Sequence, residues 1–317
     1  MGGVPGRTRS PATPVRPGQA QSAPMTNGPA RAEPPCLIVN ADDYGYFRGV
    51  SRGILEAAER GVVTATGVFA NRDAFEERAG WLRERQGLDV GVHLNLTSGT
   101  PLTAPMRNNL SRSSGSFAGK YAMTLAVLTG RIPVREVADE WQAQIERCLA
   151  AGLQPRFLNS HEHIHMLPAL FDVVATLAGR YGIAHIRFPT AERPARLSAG
   201  ALVRNAIMKG LEMAARPHVR APVAHFLGLE ASGRLDGSYF RRAIATLRPG
   251  RIYELMCHPG HLDRDEVHDA RLLRYHDWEG EFAALTSPDV RALLESKGVR
   301  LIGYRHLKVE SGRLRPL

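Results

Sequence analysis

The chain has 317 residues, 44% of them hydrophobic, enough for one large domain or two ordinary ones with a substantial core. Its formal net charge is +10 and 37 of its 41 basic residues are arginine, yet the charges are spread out and no basic run has the length of a nucleic-acid patch. The three cysteines, Cys36, Cys148 and Cys257, are far apart with no CxxC, which argues against a disulfide framework or zinc knuckle and for a reducing, cytoplasmic setting.

Residues 1–35 hold eight of the 21 prolines and almost no large apolar side chains, and are expected to be a disordered tail. The tail lacks the apolar region of a secretory signal, and Gly6 breaks the myristoylation pattern. Met25 is a second candidate for the start of translation. No apolar run in the chain approaches the roughly 18–20 residues that a bilayer span needs.

The folded part, 36–317, opens on "CLIVNADDYG", a branched apolar run ending in two acids and a glycine, as a buried parallel strand does. "FRGVSRGILEAAERG" follows, with Val50, Ile54, Leu55 and Ala58 on one helical face and Gly61 at its end. "VVTATGVFA" (62–70) reads as a strand, "DAFEERAGWLRER" (73–85) as a helix and "LDVGVHLNL" (88–96) as a strand. Residues 98–134 are polar and turn-rich, an expected insertion or lid. Helix resumes over 135–152, then strand at "PRFLNSH", a helix from Pro168, and a strand over 184–189. Residues 190–236 read as a second insertion with a helix over 199–215. A strand at "GRIYELMCHPG", helices over 278–285 and 288–297, and a last strand "VRLIGY" close the chain. Alternation of this kind predicts a mainly parallel sheet, open or closed into a barrel.

Four polar groups fall at the carboxyl ends of predicted strands: Asp42 with Asp43, His93, His161 and His258. That end carries the chemistry in such folds. Adjacent acids at a strand end can diverge, one holding a metal while the other takes a proton from water. "SHEHIHMLP" puts His161, His163 and His165 at alternate positions, on one side if the backbone stays extended. Neutral imidazole is a common metal ligand. The ladder is expected to supply at least one ligand, with Asp43 and His93 as its partners, and the rest to orient ligands or meet substrate. One Asp and two His suit Zn²⁺, or Mg²⁺ if waters complete the shell. A Cys257–His258 nucleophilic pair is conceivable, but adjacent strand residues point apart, so Cys257 is expected to pack inward and His258 to act as an acid or substrate contact. His261 and Asp263 read as a solvated loop.

"LIVNADDYG", "VTATGVFAN", "GVHLNLTSGTPL", "SHEHIHMLP", "MCHPG" and "GVRLIGYR" together resemble, in order, the YdjC-like family of carbohydrate deacetylases, over roughly residues 36–307. The resemblance implies a distorted TIM-like (β/α) barrel and metal-dependent removal of an acetyl group from an N-acetylated sugar or glycolipid. It implies one divalent ion on Asp43, His93 and His161, with Asp42 as base and His258 near substrate. His163, His165, Asn159 and Arg187 are expected to bind substrate or support the ligands. Asn159 stands where the family usually has Asp, which predicts a less basic His161. A homodimer is a possible assembly; a nucleic-acid partner is not expected. The rival readings are a metal hydrolase of another amide or a phosphoester, and a sugar-binding module without catalysis.

Overall fold

The computed structural model describes residues 1–4, 6, 33–111, 114–192 and 199–317. The expected tail therefore lies almost wholly outside the described residues. The chain divides into units 1–32 and 33–317, and every helix and strand among the described residues lies in the second.

Eight parallel strands form one sheet: β1 Cys36–Tyr44, β2 Ala65–Val68, β3 Asp89–Leu94, β4 Phe157–Ser160, β5 His185–Ile186, β6 His225–Leu227, β7 Ile252–Cys257 and β8 Arg300–Leu301. Their order is β5-β4-β3-β2-β1-β7-β6, with β8 pairing the start of β1. Among the described residues no ladder joins β5 to β6, so the barrel is distorted and open at that seam. All nine residues of β1 are buried: Leu37, Val39 and Ala41 pack with the helices, while Cys36 and Ile38 face the interior beside Ala65, Phe157, Ile252 and Tyr304.

The helices are α1 Arg48–Arg60, α2 Phe75–Arg83, α3 Ala104–Asn109, α4 Lys120–Leu128, α5 Val134–Ala150, α6 Pro168–Tyr181, α7 Ala199–Ala215, α8 Gly237–Ala245, α9 Ala270–Tyr275, α10 Trp278–Thr286 and α11 Pro288–Ser296. α1 buries Val50, Ile54, Leu55 and Ala57. A Cβ at Gly53 would sit 2.5 Å from Gly260 Cα, so glycine lets α1 meet the loop after β7 backbone to backbone. α6 starts on Pro168 and stops at Gly182, whose φ of 66° suits only a residue free of a Cβ penalty.

The predicted alternation holds through the chain, with differences at short elements. Segment 98–134 contains α3 and α4. Segment 190–236 contains α7 and also β6, a three-residue strand on the sheet's edge that is too short to show a period. A terminal hairpin, β9 Leu307–Glu310 with β10 Arg313–Pro316, was also not foreseen. The strand expected at "PRFLNSH" ends at Ser160, and the histidines beyond it lie in a turn.

Candidate metal-dependent active site

The site begins with an irregularity in β1. Between Ala41 and Tyr44 the pairing with β2 slips, and Asp43 takes a left-handed φ of 68°. Such a conformation costs an L-residue roughly 1–2 kcal/mol, least for Asp and Asn. The slip turns the two neighbouring acids apart. Asp43 faces the histidines, and Asp42 faces Arg187.

Three ligand atoms, one each from Asp43, His93 and His161, lie within 4.8 Å of one another. His93 on β3 stands beside Asn159 on β4, and its Nδ1 lies 2.8 Å from Asn159 Oδ1. The bond makes Nδ1 the proton-bearing nitrogen and leaves a lone pair on Nε2. That Nε2 is buried, has no hydrogen-bond partner, and sits 3.2 Å from Asp43 Oδ1. His161 Nδ1 lies 3.1 Å from the same oxygen. A buried lone pair aimed at a carboxylate is unfavourable unless a cation or proton lies between them. The donor set therefore fits a divalent ion. Phe69 presses edge-on against both rings, at 5.0 Å from His93 and 4.9 Å from His161. A Cβ at Gly67 would come within 3.1 Å of Asn159 Oδ1 and 3.2 Å of His93 Nδ1, so this strand position must stay small.

The charges sharpen the same picture. Burial pushes the Asp43 carboxyl up, but His161 and His93 outweigh it and hold it well below the usual range. Burial pushes His93 down, but Asp42 and Asp43 outweigh it and raise it.

Behind this cradle runs a buried ion network. Arg187 grips both oxygens of Asp42, with Nη2 2.9 Å from Oδ1, and its Nε donates to Glu254 Oε1 at 2.5 Å. Asn159 Nδ2 donates to Asp42 Oδ1 at 2.9 Å, and Asn40 Nδ2 to Glu254 Oε1 at 3.2 Å. Burial would raise Asp42; Arg187 and His93 bring it below its ordinary value. Asp42 is thus an oriented carboxylate beside the cradle.

The histidine ladder needs a correction. Glu162 and His163 have φ of 54° and 57°, so the chain turns after Ser160 and the alternate-residue geometry is lost. Only His161 reaches the cradle. His165 lies between Ser160 Oγ at 2.6 Å and the Arg187 carbonyl at 3.0 Å, and burial lowers it to about 4. It is a neutral prop for the Arg187 backbone. His163 is half-buried with no partner on Nδ1 and meets the Phe226 ring edge-on at 5.7 Å. Asn159 also differs from expectation, since it serves His93 and Asp42 rather than His161.

After β7, Cys257 packs inward as expected, and burial pushes its thiol well above the usual range, which leaves no thiolate for a Cys–His pair. His258 is buried with no hydrogen-bond partner on Nδ1, and its backbone N–H donates to Glu281 Oε2 at 2.5 Å. Its ring faces His276 at 5.1 Å, which stacks on Trp278 at 4.8 Å. Burial lowers His258 and raises Glu281 to about 8. Sequence reasoning missed Glu281, His276, Trp278 and Phe69; the signal for the first three was a cluster of aromatic and acidic residues around the start of a predicted helix, and for Phe69 its place at the end of a predicted strand. His261 pairs with Glu56 at 3.3 Å and Asp263 caps Asp265 N at 2.9 Å, as a polar loop does.

The fold and this cluster define a parallel α/β barrel with a candidate mononuclear metal centre at the carboxyl ends of its strands. Residues 36–296 match the family model described as YdjC-like protein, and the chain belongs to that family. It is 34% identical over 272 residues to a carbohydrate deacetylase of Geobacillus stearothermophilus, covering 86% of this chain and 98% of the relative. It is also 34% identical to a chitooligosaccharide deacetylase of Enterobacter sp. (strain 638), over 86% of this chain and 98% of that one. A crystal structure from Enterococcus faecalis V583, provisionally described as a cellobiose-phosphate cleavage protein, superposes with a TM-score of 0.66 at 26% identity, over 86% of this chain and 98% of that chain.

Proposed function

We propose that the protein is a divalent-metal-dependent deacetylase that hydrolyses the acetamide of an N-acetylated carbohydrate. The single observation that carries this is the pairing of the two acids: Asp43 completes a candidate metal cradle with His93 and His161, while Arg187 holds Asp42 beside it in the ionised form. The names borne by the relatives support the substrate class. Two imidazoles and one carboxylate suit Zn²⁺ or a similar borderline ion better than Mg²⁺. Such an ion, when bound, supplies Lewis acidity toward water and a carbonyl oxygen.

The chain's own groups do the rest. Asp42 takes the proton from the attacking water, and Arg187 with Asn159 keeps its oxygens turned toward that task. Water adds to the acetyl carbon, the C–N bond breaks, and acetate and amine leave. His258 gives its proton to the departing nitrogen, and burial, which lowers its pKa, favours that release. His163, Asn159 and the Arg187 framework line and support the site. The three buried, unpaired cysteines agree with a reducing compartment.

The test is acetate release from a panel of N-acetylated sugars, other amides and phosphoesters, with EDTA and with added Zn²⁺ or Mg²⁺. Metal-dependent acetate release is expected. Asp42→Asn should abolish turnover and keep the metal, whereas Asp43→Ala should lose both. Turnover surviving Asp42→Asn would remove that residue as the base.

A further inference from the structure

Two helices beside the site present apolar side chains to solvent. α4 is apolar all round. Met123, Ala126 and Val127 face the core, while Tyr121, Leu125 and Leu128 point outward and are 85%, 62% and 66% exposed. A helix of that character is normally covered on every side. α7 repeats the pattern. Met208 and Ala215 are buried, while Val203, Ile207 and Met213, at 59%, 57% and 67% exposed, run along its outer side. Val203 and Ile207 stand four residues apart, as neighbours on one helical face do.

Both helices pack against the turn that carries His161. Both helices thus flank the turn that brings His161 to the site, with their apolar sides turned outward.

Within the two segments cations outnumber acids, with Glu162 on the turn they share and Asp172 beside His218 as acidic neighbours. Segment 116–135 carries Lys120, Arg131 and Arg135 and no acidic residue. Segment 199–220 carries Arg204, Lys209, Arg216 and Arg220 against Glu212 alone, which pairs with Lys209 at 3.0 Å. These seven cations are exposed.

We propose that α4 and the outer side of α7 form a docking surface for an anionic lipid bilayer, holding the mouth of the site at the membrane. Exposed Tyr, Leu, Ile and Met side chains would enter the headgroup boundary while the basic ring meets anionic headgroups. A second copy of this chain is the poorer occupant, because it would set two like-charged rings against each other. The surface is a peripheral one, since no helix among the described residues is long and apolar enough to cross a membrane.

Vesicle cosedimentation of the full chain tests this without any need for turnover, so it stands or falls apart from the catalytic reading. Vesicles of phosphatidylglycerol and phosphatidylcholine should pellet the protein, and raised salt or vesicles of phosphatidylcholine alone should weaken binding. Leu125→Ser with Leu128→Ser, or Ile207→Ser with Met213→Ser, should weaken partitioning about tenfold or more, since each exposed side chain inserted contributes burial of its apolar area. Leu149→Ser, an exposed position on α5, should change nothing. Equal pelleting of all variants, or none by the wild type, would overturn the proposal. So would a dimer in light scattering that the same substitutions dissolve in the absence of vesicle binding.

Discussion

The cradle of Asp43, His93 and His161 and the network of Asp42, Arg187 and Glu254 lie side by side; the network is fully buried while His161 is partly exposed, and they differ in how well they are satisfied. In the network the guanidinium bonds two carboxylates, and Asn159 and Asn40 supply further donors. In the cradle, His93 Nε2 lacks a hydrogen-bond partner and Asp43 sits in a left-handed conformation. The network is satisfied by protein groups, whereas the cradle keeps an unpartnered buried nitrogen. Under the proposed function the network acts as scaffold and the cradle as receptor, with Asp42 serving both, and Asn159 and His93 join them.

The largest effect that separates the two is on turnover. Asp43→Asn keeps a residue tolerant of the left-handed turn but removes the charge, so acetate release should fall by about 10³-fold or more, a loss of about 4 kcal/mol of transition-state stabilisation. Its unfolding free energy from urea titration without metal should change by less than about 1 kcal/mol. Arg187→Met should do the reverse in emphasis, destabilising the fold by roughly 3–5 kcal/mol because two buried carboxylates lose their cation. If the Asp43 variant unfolds and the Arg187 variant does not, the division between receptor and scaffold is wrong.

A smaller effect sharpens the contrast further. Zn²⁺ at a hundredfold excess over its dissociation constant should stabilise the folded chain by about 2.7 kcal/mol, EDTA should reverse this, and Asp43→Asn should abolish the response. Calorimetric melting with and without chelator reads it.

The smallest effect is on pH dependence, where two buried groups oppose each other. His165 is lowered from 6.5 to about 4, so the unfolded chain binds its proton first and this contribution to stability is lost as pH falls below 6.5. Glu281 is raised from 4.5 to about 8, so the folded chain keeps its proton longer and this contribution is lost as pH rises from 4.5 toward 8. Between 4.5 and 6.5 they cancel. Above 6.5 His165 no longer contributes, and Glu281, joined by the raised His93, should lower stability by about 2 kcal/mol or more by pH 8. His165→Asn should extend the decline into the lower window, which denaturant midpoints at pH 5, 6.5 and 8 would show.

Much of the barrel could be read from the chain, because buried parallel strands announce themselves as apolar runs and their helices as 3.6-residue stripes. β1, β3, β4, β7 and the helices α1, α5, α6, α10 and α11 follow the expected spans closely. Edge strand β6 was missed, being three residues long and half-covered. The site was legible where a polar residue interrupts an apolar run at a strand end, as at Asp42, Asp43, His93 and His258. The histidine ladder misled because a period of two implies one face only while the chain remains extended, and here it turns at Glu162.

The sequence alone determined which polar residues with metal-ligating chemistry fall at the carboxyl ends of the strands, since that follows from local pattern and from the direction of parallel strands. Tertiary structure decided which of them meet. The slip in β1 sends Asp43 and Asp42 opposite ways, the turn after β4 admits His161 and hides His165, and Arg187 and Glu254, 67 residues apart, close on one another inside the barrel. Those outcomes depend on backbone angles and on long-range charge pairing in a space without water, neither of which any short window of sequence encodes.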